Sequence, residues 1–236
     1  NQSKGCAIIT GGTGALGTHL AKMFLKDGFQ IAVTYVFDSE VDPFLEQTID
    51  FEQQVNLHQV DVTDPTQVQR FTATIINQFE GIDVVANIAG GFIGGLSVSE
   101  MDTKKWDLMM DLNLKSVFLM CKAVLPHMIE RGSGKIVNVS ARAGLAGAAG
   151  MGAYCVSKAG VRTLTESIAE EVKDKGININ AIMPSIIDTQ ANRQSMPKAD
   201  FSKWVSPHQI AKVVRFLVSE DAQIINGAAI PVYGQA

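Results

Sequence analysis

Tyr154 and Lys158 are the two side chains of this sequence best suited to moving a proton. Their spacing, Tyr-x-x-x-Lys, places both on one face of a predicted helix. A tyrosine of ordinary pKa, about 10, needs a neighbouring positive charge before its phenolate is populated near neutral pH. Lys158 can supply that charge, so we expect a lowered pKa for Tyr154. Alone the spacing is poor evidence, because it arises often by chance and also describes a solvated helix pair.

The most specific local pattern is the segment 10–17, Thr-Gly-Gly-Thr-Gly-Ala-Leu-Gly. It follows the first predicted strand and opens the first predicted helix. Glycines there let the backbone turn sharply beside a pyrophosphate, and the helix N-terminus offers unpaired N–H groups and partial positive charge. The segment lacks the Gly-Lys-Ser/Thr ending of a mononucleotide P-loop. It therefore predicts dinucleotide binding through Gly11, Thr13, Gly14, Leu16 and Gly17.

These residues must be positioned by a chain that alternates short β-branched runs with longer helical segments. Strands are predicted at 6–10, 31–37, 55–60, 83–87, 135–139, 177–183 and 228–232. Helices are predicted at 16–27, 42–51, 65–79, 104–131, 153–175 and 207–219, with Pro126 expected to kink or shorten the fourth.

Most of the strand segments are almost continuously apolar, as expected when helices cover both faces of a sheet. The sequence thus predicts an α/β fold. We expect a single Rossmann-like, doubly wound domain over residues 1–236, with a seven-stranded, mostly parallel sheet and helices on both faces. The one long irregular stretch, at about 185–205, is typical of a short substrate lid.

Composition argues against several other classes of function. The net charge of −4 offers no basic surface for DNA, RNA or anionic lipid, so we expect a small-molecule partner. No apolar run reaches membrane-spanning length and no targeting segment is visible, which makes the cytoplasm the default location. The first residue is Asn1, so a processed or trimmed N-terminus stays open. Three cysteines and four histidines are too scattered to predict a metal site.

Ordered motifs along nearly the whole chain resemble those of the short-chain dehydrogenases/reductases. In chain order they are the Gly-rich segment, Asp61-Val62, Asn87-Ile88-Ala89-Gly90, Asn113, Ser140, Tyr154 with Lys158, and the segment 184–189. Ala15, Ile88 and Ser185 depart from the residues common at those positions. Within the family, the sequence resembles 3-oxoacyl thioester reductases and small alcohol or polyol dehydrogenases to a similar degree.

The resemblance implies an NAD(P)-dependent oxidoreductase that moves a hydride between a nicotinamide ring and a carbonyl or secondary alcohol. Tyr154 would be the acid/base, Lys158 would support it and bind the cofactor ribose, Ser140 would hold the substrate oxygen, and Asn113 would anchor a relay water. Further cofactor contacts implied are Asp61, Val62, Asn87, Ala89, Gly90, Pro184, Ile187 and Thr189. A homodimer or homotetramer through the helices at 104–131 and 153–175 is implied as well.

The choice between NAD and NADP depends on the end of the second strand. An acidic residue there, Asp38, would accept a hydrogen bond from the ribose 2′-hydroxyl and repel a 2′-phosphate. No lysine or arginine occurs in the Gly-rich segment or between residues 31 and 51. We therefore expect NAD, although Tyr35 stands where the family carries its NAD-selecting aspartate.

Two other functions stay open on the sequence. A non-catalytic NAD(P)-sensing regulator would use the same fold, but would have no reason to keep Ser140, Tyr154 and Lys158 together. An extended-type epimerase or dehydratase fits the spacing of Gly11, Gly14 and Gly17. Such an enzyme needs a sizeable C-terminal substrate domain, and only about fifty residues follow Pro184.

Overall fold

Seven strands form the central sheet of the structure, a computed structural model that describes residues 4–235. They are β1 (Cys6–Thr10), β2 (Gln30–Tyr35), β3 (Val55–Gln59), β4 (Val84–Asn87), β5 (Gly134–Val139), β6 (Ile177–Pro184) and β7 (Ala229–Val232). Their order is β3-β2-β1-β4-β5-β6-β7 and every pairing is parallel. The predicted strands and the doubly wound sheet are confirmed, and the sheet is wholly, not mostly, parallel.

Helices cover both faces of this sheet. They are α1 (Ala15–Lys26), α2 (Val41–Thr48), α3 (Pro65–Phe79), α4 (Thr103–Met110), α5 (Ser116–Arg131), α6 (Gly152–Val172), α7 (Gln190–Ser195) and α8 (Pro207–Leu217). Buried side chains of α3, α5 and α6 form one apolar layer, and those of α1, α2 and α8 form the other. Successive apolar residues of β1 serve opposite layers, since Ile8 packs with the first and Ala7 and Ile9 with the second.

The ends of two helices confirm the predicted start signals. Asp64 accepts hydrogen bonds from the backbone N–H groups of Thr66 and Gln67, and Pro65 begins α3. Ser206 caps α8 in the same way, and Pro207 follows it. Both proline positions lack an N–H that the helix would leave unpaired in any case.

The predicted fourth helix is interrupted, but not where we expected. The break is a π-helical turn over Asp111–Lys115, between α4 and α5, whereas Pro126 lies inside α5. The physical reason lies with Asn113, whose side chain bonds a neighbouring loop and is accommodated by the wider turn. Because α5 runs through Pro126 to Arg131, the expected shortening at Pro126 was wrong, and a kink there stays a prediction.

The stretch 185–205 is more regular than a loop. It contains α7 and a short 3₁₀ turn over Phe201–Lys203, and Trp204 and Val205 are buried. Ile187 and Val205 form an isolated parallel bridge, so the two ends of the stretch are held together. Within residues 4–235, no helix is both long and apolar enough to cross a membrane.

Candidate active site

The turn after β1 is fixed against the turn after β4, at the point where the strand order reverses. The Thr10 hydroxyl accepts hydrogen bonds from the backbone N–H groups of Ile88 (3.0 Å) and Ala89 (3.1 Å). Gly11 has a φ of +58°, and a Cβ placed on it would lie 3.0 Å from the Ala89 Cα. In open α/β sheets this reversal point is where ligands bind.

The remaining residues of the Gly-rich segment bring α1 close over that turn. Gly14 precedes the first turn of α1, and Leu16 is buried beneath it. A Cβ on Gly17 would lie only 2.4 Å from the Gly12 Cα, so a side chain there would push the helix away. The N-terminus of α1 therefore lies directly against the Gly-rich turn, an arrangement that can present its unpaired N–H groups to an anionic group.

Glu40 is a site residue that the sequence reasoning missed. Its carboxylate accepts long hydrogen bonds from the Thr13 hydroxyl (3.3 Å) and the backbone N–H groups of Val36 and Phe37 (3.4 Å each). It thus joins the Gly-rich segment to the end of β2, whereas Asp38 is exposed. The available signal was its position three residues after Phe37, where a glutamate turns back onto the start of a short helical turn.

The predicted contacts after β3 and β4 have different surroundings. Asp61 is exposed and accepts hydrogen bonds from Thr63, while Val62 is buried in the core. The Asn87 side chain points into the interior, where it donates to Asn138 Oδ1 at 2.8 Å. Any contact of Asn87 with a cofactor would therefore come from its backbone, and the expected place of Asn87 in the cofactor groove stays a prediction.

Asn113 fastens the loop after β4 to the π-helical turn. Its Oδ1 accepts from the Gly91 N–H (2.9 Å), and its Nδ2 donates to the Gly91 carbonyl (3.0 Å) and to Ser157 Oγ (3.2 Å). Both ends of the buried carboxamide are thus bonded to protein. The side chain thus positions Gly91, and the expected role of Asn113 in anchoring a relay water stays a prediction.

Lys158 is buried beside the same loop. Its ammonium donates to the Val139 carbonyl at 2.8 Å, and a Cβ placed on Gly90 would lie 3.3 Å from Lys158 Nζ and 2.9 Å from Asn113 Oδ1. Burial lowers the pKa of Lys158 from 10.5 to about 8, because the charged form loses its hydration. Gly90, Asn113 and Lys158 therefore converge at the ends of β4 and β5.

The buried amine predicts a pH dependence of stability that disappears in Lys158→Met. Below pH 8 the amine is protonated in folded and unfolded protein alike. Between about pH 8 and 10.5 the unfolded chain holds the proton and the folded protein releases it, so the wild-type free energy of unfolding gains a rising component there. Urea unfolding from pH 7 to 10 would measure it. The exposed Lys104→Met control should keep the wild-type pH dependence, and a Lys158→Met protein that also kept it would contradict the prediction.

Tyr154 lies on α6 one turn before Lys158 and is covered by Phe92. The two rings meet edge to face, with centroids 4.9 Å apart and planes at 85°. Burial raises the pKa of Tyr154 to about 12, with a smaller contribution from Cys155. This is opposite to the lowered pKa we expected, because loss of water around the phenol disfavours its charged form. The phenol thus keeps its proton at neutral pH.

Two loops meet beside this tyrosine. The backbone N–H of Gly95, in the loop that carries Phe92, donates to the carbonyl of Gly150 at 2.8 Å. Gly150 lies just before α6, on which Tyr154 sits. Phe92 was not among the predicted catalytic or cofactor residues, although the sequence places this aromatic residue in a loop expected near the nicotinamide end of the cofactor, shortly after Asn87-Ile88-Ala89-Gly90.

Ser140 follows β5 as expected, but its hydroxyl is turned away from the site. It is 2% exposed and donates to the backbone carbonyl of Lys158 at 2.7 Å. A hydroxyl has a single proton to donate, and this one is used within the protein. The expectation that Ser140 holds the substrate oxygen therefore disagrees with the geometry.

The last predicted contacts surround the end of β6. Pro184 ends the strand beside Val232, Ile187 bridges to Val205, and Thr189 caps α7 by accepting from the Asn192 N–H at 3.2 Å. Because the Thr189 hydroxyl only accepts in that bond, its proton is available for another group. Ile187 and Thr189 lie at the start of the stretch 185–205, and Pro184 directly precedes it.

Comparison with known proteins agrees with this arrangement. The family model for short chain dehydrogenases matches residues 5–200. The chain is a short-chain dehydrogenase. It is 28% identical, over 99% of its own length and 97% of the relative's, to the 3-oxoacyl-(acyl-carrier-protein) reductase FabG of Thermotoga maritima. It is 32% identical, over 97% and 96%, to the 2-(R)-hydroxypropyl-CoM dehydrogenase of Xanthobacter autotrophicus.

Solved structures of other proteins superpose closely on this short-chain dehydrogenase. ElxO with NADP bound has a TM-score of 0.92, 29% identity and 98% coverage of both chains. Levodione reductase has a TM-score of 0.91, 28% identity and coverage of 99% of this chain and 98% of its own. The protein is therefore an NAD(P)-dependent oxidoreductase that transfers a hydride between a nicotinamide cofactor and a small carbonyl or alcohol substrate. The comparisons give no support to a non-catalytic regulator.

Proposed function

We propose that this short-chain dehydrogenase is a carbonyl reductase in which Tyr154 donates the proton. The observation that carries the proposal is the place of Tyr154 on α6, one turn before the buried Lys158, with its half-buried phenol ring in edge-to-face contact with Phe92. A carbonyl oxygen must gain a proton as it becomes an alcohol, and a phenol that is protonated at neutral pH is the acid for that step. When bound, the nicotinamide cofactor supplies the hydride.

The proposed supporting roles follow from the contacts on either side of Tyr154. Lys158 would donate hydrogen bonds to the cofactor ribose while held by the Val139 carbonyl. Asn113 would keep the Gly91 backbone in place beside it. The Gly-rich segment would hold the pyrophosphate at the N-terminus of α1. The other proposed cofactor contacts are Val62, the Asn87 backbone, Ala89, Gly90, Pro184, Ile187 and Thr189, with Asp61 at the adenine.

The proposed substrate is small and partly apolar. An apolar cavity of about 180 Å³ borders Ala153, the residue before Tyr154, and its walls include Leu96, Val98, Met101 and Trp106. A cavity of this kind suits an alkyl or ring substituent of the carbonyl compound. The stretch 185–205 would form the lid over the substrate. It contains α7, and the bridge between Ile187 and Val205 holds its two ends together.

We further propose that NAD(H) is preferred to NADP(H), although ElxO, a structural relative, holds NADP. The support is the Glu40 carboxylate, which bonds Thr13 of the Gly-rich segment and the backbone at the end of β2. A carboxylate there accepts from a ribose 2′-hydroxyl and repels a 2′-phosphate. Asp38, the acidic residue first assigned this role, is two positions away and exposed.

Assembly and location are also proposals. Exposed apolar side chains on α4, α5 and α6, namely Leu108, Phe118, Ile129 and Val156, support a homodimer or homotetramer through these helices. Multi-angle light scattering would measure the mass. The three cysteines are free and buried, which agrees with a cytoplasmic location.

The proposed function is tested by mixing the purified protein with NADH and a panel of ketones, aldehydes and 3-oxoacyl thioesters while following NADH absorbance. We expect turnover with at least one small, partly apolar carbonyl compound, and slower turnover with NADPH. Oxidation of the matching alcohol should need higher pH, because that direction requires a deprotonated Tyr154. Absence of turnover across the panel, with cofactor shown to bind by fluorescence, would contradict a reductase.

A further inference from the structure

The side chain of Ser140 belongs to the packing between β5 and α6. Its hydroxyl donates to the Lys158 carbonyl, and its backbone N–H donates to the Ile182 carbonyl of β6. Asn138, two residues earlier, faces the same helix, since its Nδ2 donates to Thr165 Oγ1 of α6. Ser140 therefore continues the row of β5 side chains that anchors α6.

The side chains on the other face of β5 point to the layer that contains α1. Val139 packs in that layer, together with Leu16 of α1 and, at its margin, Ile88 and Ile187. Ala141 has extended backbone angles, φ −159° and ψ 161°. Successive side chains of extended backbone point to opposite sides. The Ala141 methyl group therefore lies on the side of the Gly-rich turn and Ile187, opposite to the Ser140 hydroxyl.

The short turn after Ala141 also holds this segment against α6, so that the Ser140 side chain stays on the α6 side of β5. Residues Arg142–Gly144 form a 3₁₀ turn, and a Cβ on Gly144 would lie 2.8 Å from the Lys158 carbonyl carbon. The turn thus rests directly on α6, above the hydrogen bond of Ser140. A rotation of Ser140 toward the groove would leave the Lys158 carbonyl without this donor.

We propose that Ala141, and not Ser140, is the residue of this segment that faces the substrate oxygen, so that the oxygen is held by Tyr154 without a serine hydroxyl. The proposal rests on the proposed reductase function and deepens it. Ser140 is then a packing residue that ties β5 to the backbone of α6. The substrates must then be carbonyl compounds that a single phenol can orient. A hydroxyl introduced at position 141 should speed the chemical step.

Two single substitutions test the proposal in the carbonyl reductase assay. Ala141→Ser is expected to raise kcat about tenfold, with KM for NADH unchanged, because it adds a donor aimed at the developing oxyanion. Ser140→Ala is expected to lower the melting temperature through loss of a buried hydrogen bond. Its kcat and the pH profile of kcat should stay close to those of the wild type.

The opposite pattern would overturn the proposal. If Ser140 were the oxygen donor, Ser140→Ala would lose about 100-fold or more in kcat while remaining folded, and Ala141→Ser would bring no gain. Should Ser140→Ala fail to fold, Ala141→Ser decides alone, because an unchanged or lower kcat contradicts a groove-facing position 141. Failure of the reductase function itself looks different, since wild type and Tyr154→Phe would then be equally inactive.

Discussion

Tyr154→Phe is expected to lower kcat for carbonyl reduction about 10³-fold, which is the usual contribution of a positioned general acid. The substitution removes only the proton-donating oxygen and leaves the ring that packs against Phe92. Binding of NADH should therefore persist, and fluorescence titration beside steady-state kinetics would separate the two effects. The part of the pH dependence of kcat that comes from titration of the phenol should disappear as well.

Tyr233→Phe is the matched control for that experiment. It removes the same atom from a tyrosine whose buried hydroxyl has no hydrogen-bond partner in the described part of the chain. We expect wild-type kcat for this variant. Wild-type turnover in Tyr154→Phe would contradict the assignment of the acid, and an equal loss in both variants would indicate a general effect on folding.

Glu40→Gln is expected to raise kcat/KM for NADPH relative to NADH by about 10²-fold, because a like-charge contact with the 2′-phosphate costs several kcal/mol. The amide keeps an oxygen that can accept from the N–H groups of Val36 and Phe37, so the turn after β2 should hold its shape. Steady-state kinetics with both cofactors at one ionic strength gives the ratio. A larger change is expected in Glu40→Arg, which adds a phosphate donor.

The control for cofactor preference is Asp38→Asn. It removes one negative charge two residues away, from an exposed side chain at the start of the same turn. We expect a small effect, since exposed charges are screened by water and salt. Equal shifts in the two variants would show a general effect of net charge, and no shift in Glu40→Gln would contradict the proposed preference for NAD.

The sequence was informative wherever a local pattern has one physical solution. Nearly continuous apolar runs separated by helical segments allow few arrangements other than a parallel sheet covered on both faces. The Gly-rich segment predicted the close approach seen at Gly11 and Gly17, because a side chain at either position would collide with backbone. The separation of Tyr154 and Lys158 by one turn of the same helix was likewise visible from their spacing.

The features that escaped prediction depend on contacts between distant segments. Glu40 reaches the Gly-rich segment only because a 3₁₀ turn folds it back on the end of β2. The direction of the Ser140 hydroxyl depends on how closely α6 approaches β5. The pKa of Tyr154 depends on how far other segments cover the phenol, and the cover of a helix side chain by a distant loop residue such as Phe92 is not encoded in its near neighbours along the chain.

The bond between Gly95 and Gly150 bears on how such an enzyme can diversify. It joins backbone atoms, so no exchange of side chains elsewhere in the two segments removes its donor or acceptor. Substitutions at Phe92 or Leu96 can thus change which substrates fit beside Tyr154, while the backbone contact between the two loops persists. Insertions or deletions in either segment would shift that framework, and descendants of this chain should therefore vary here by substitution and keep both segment lengths.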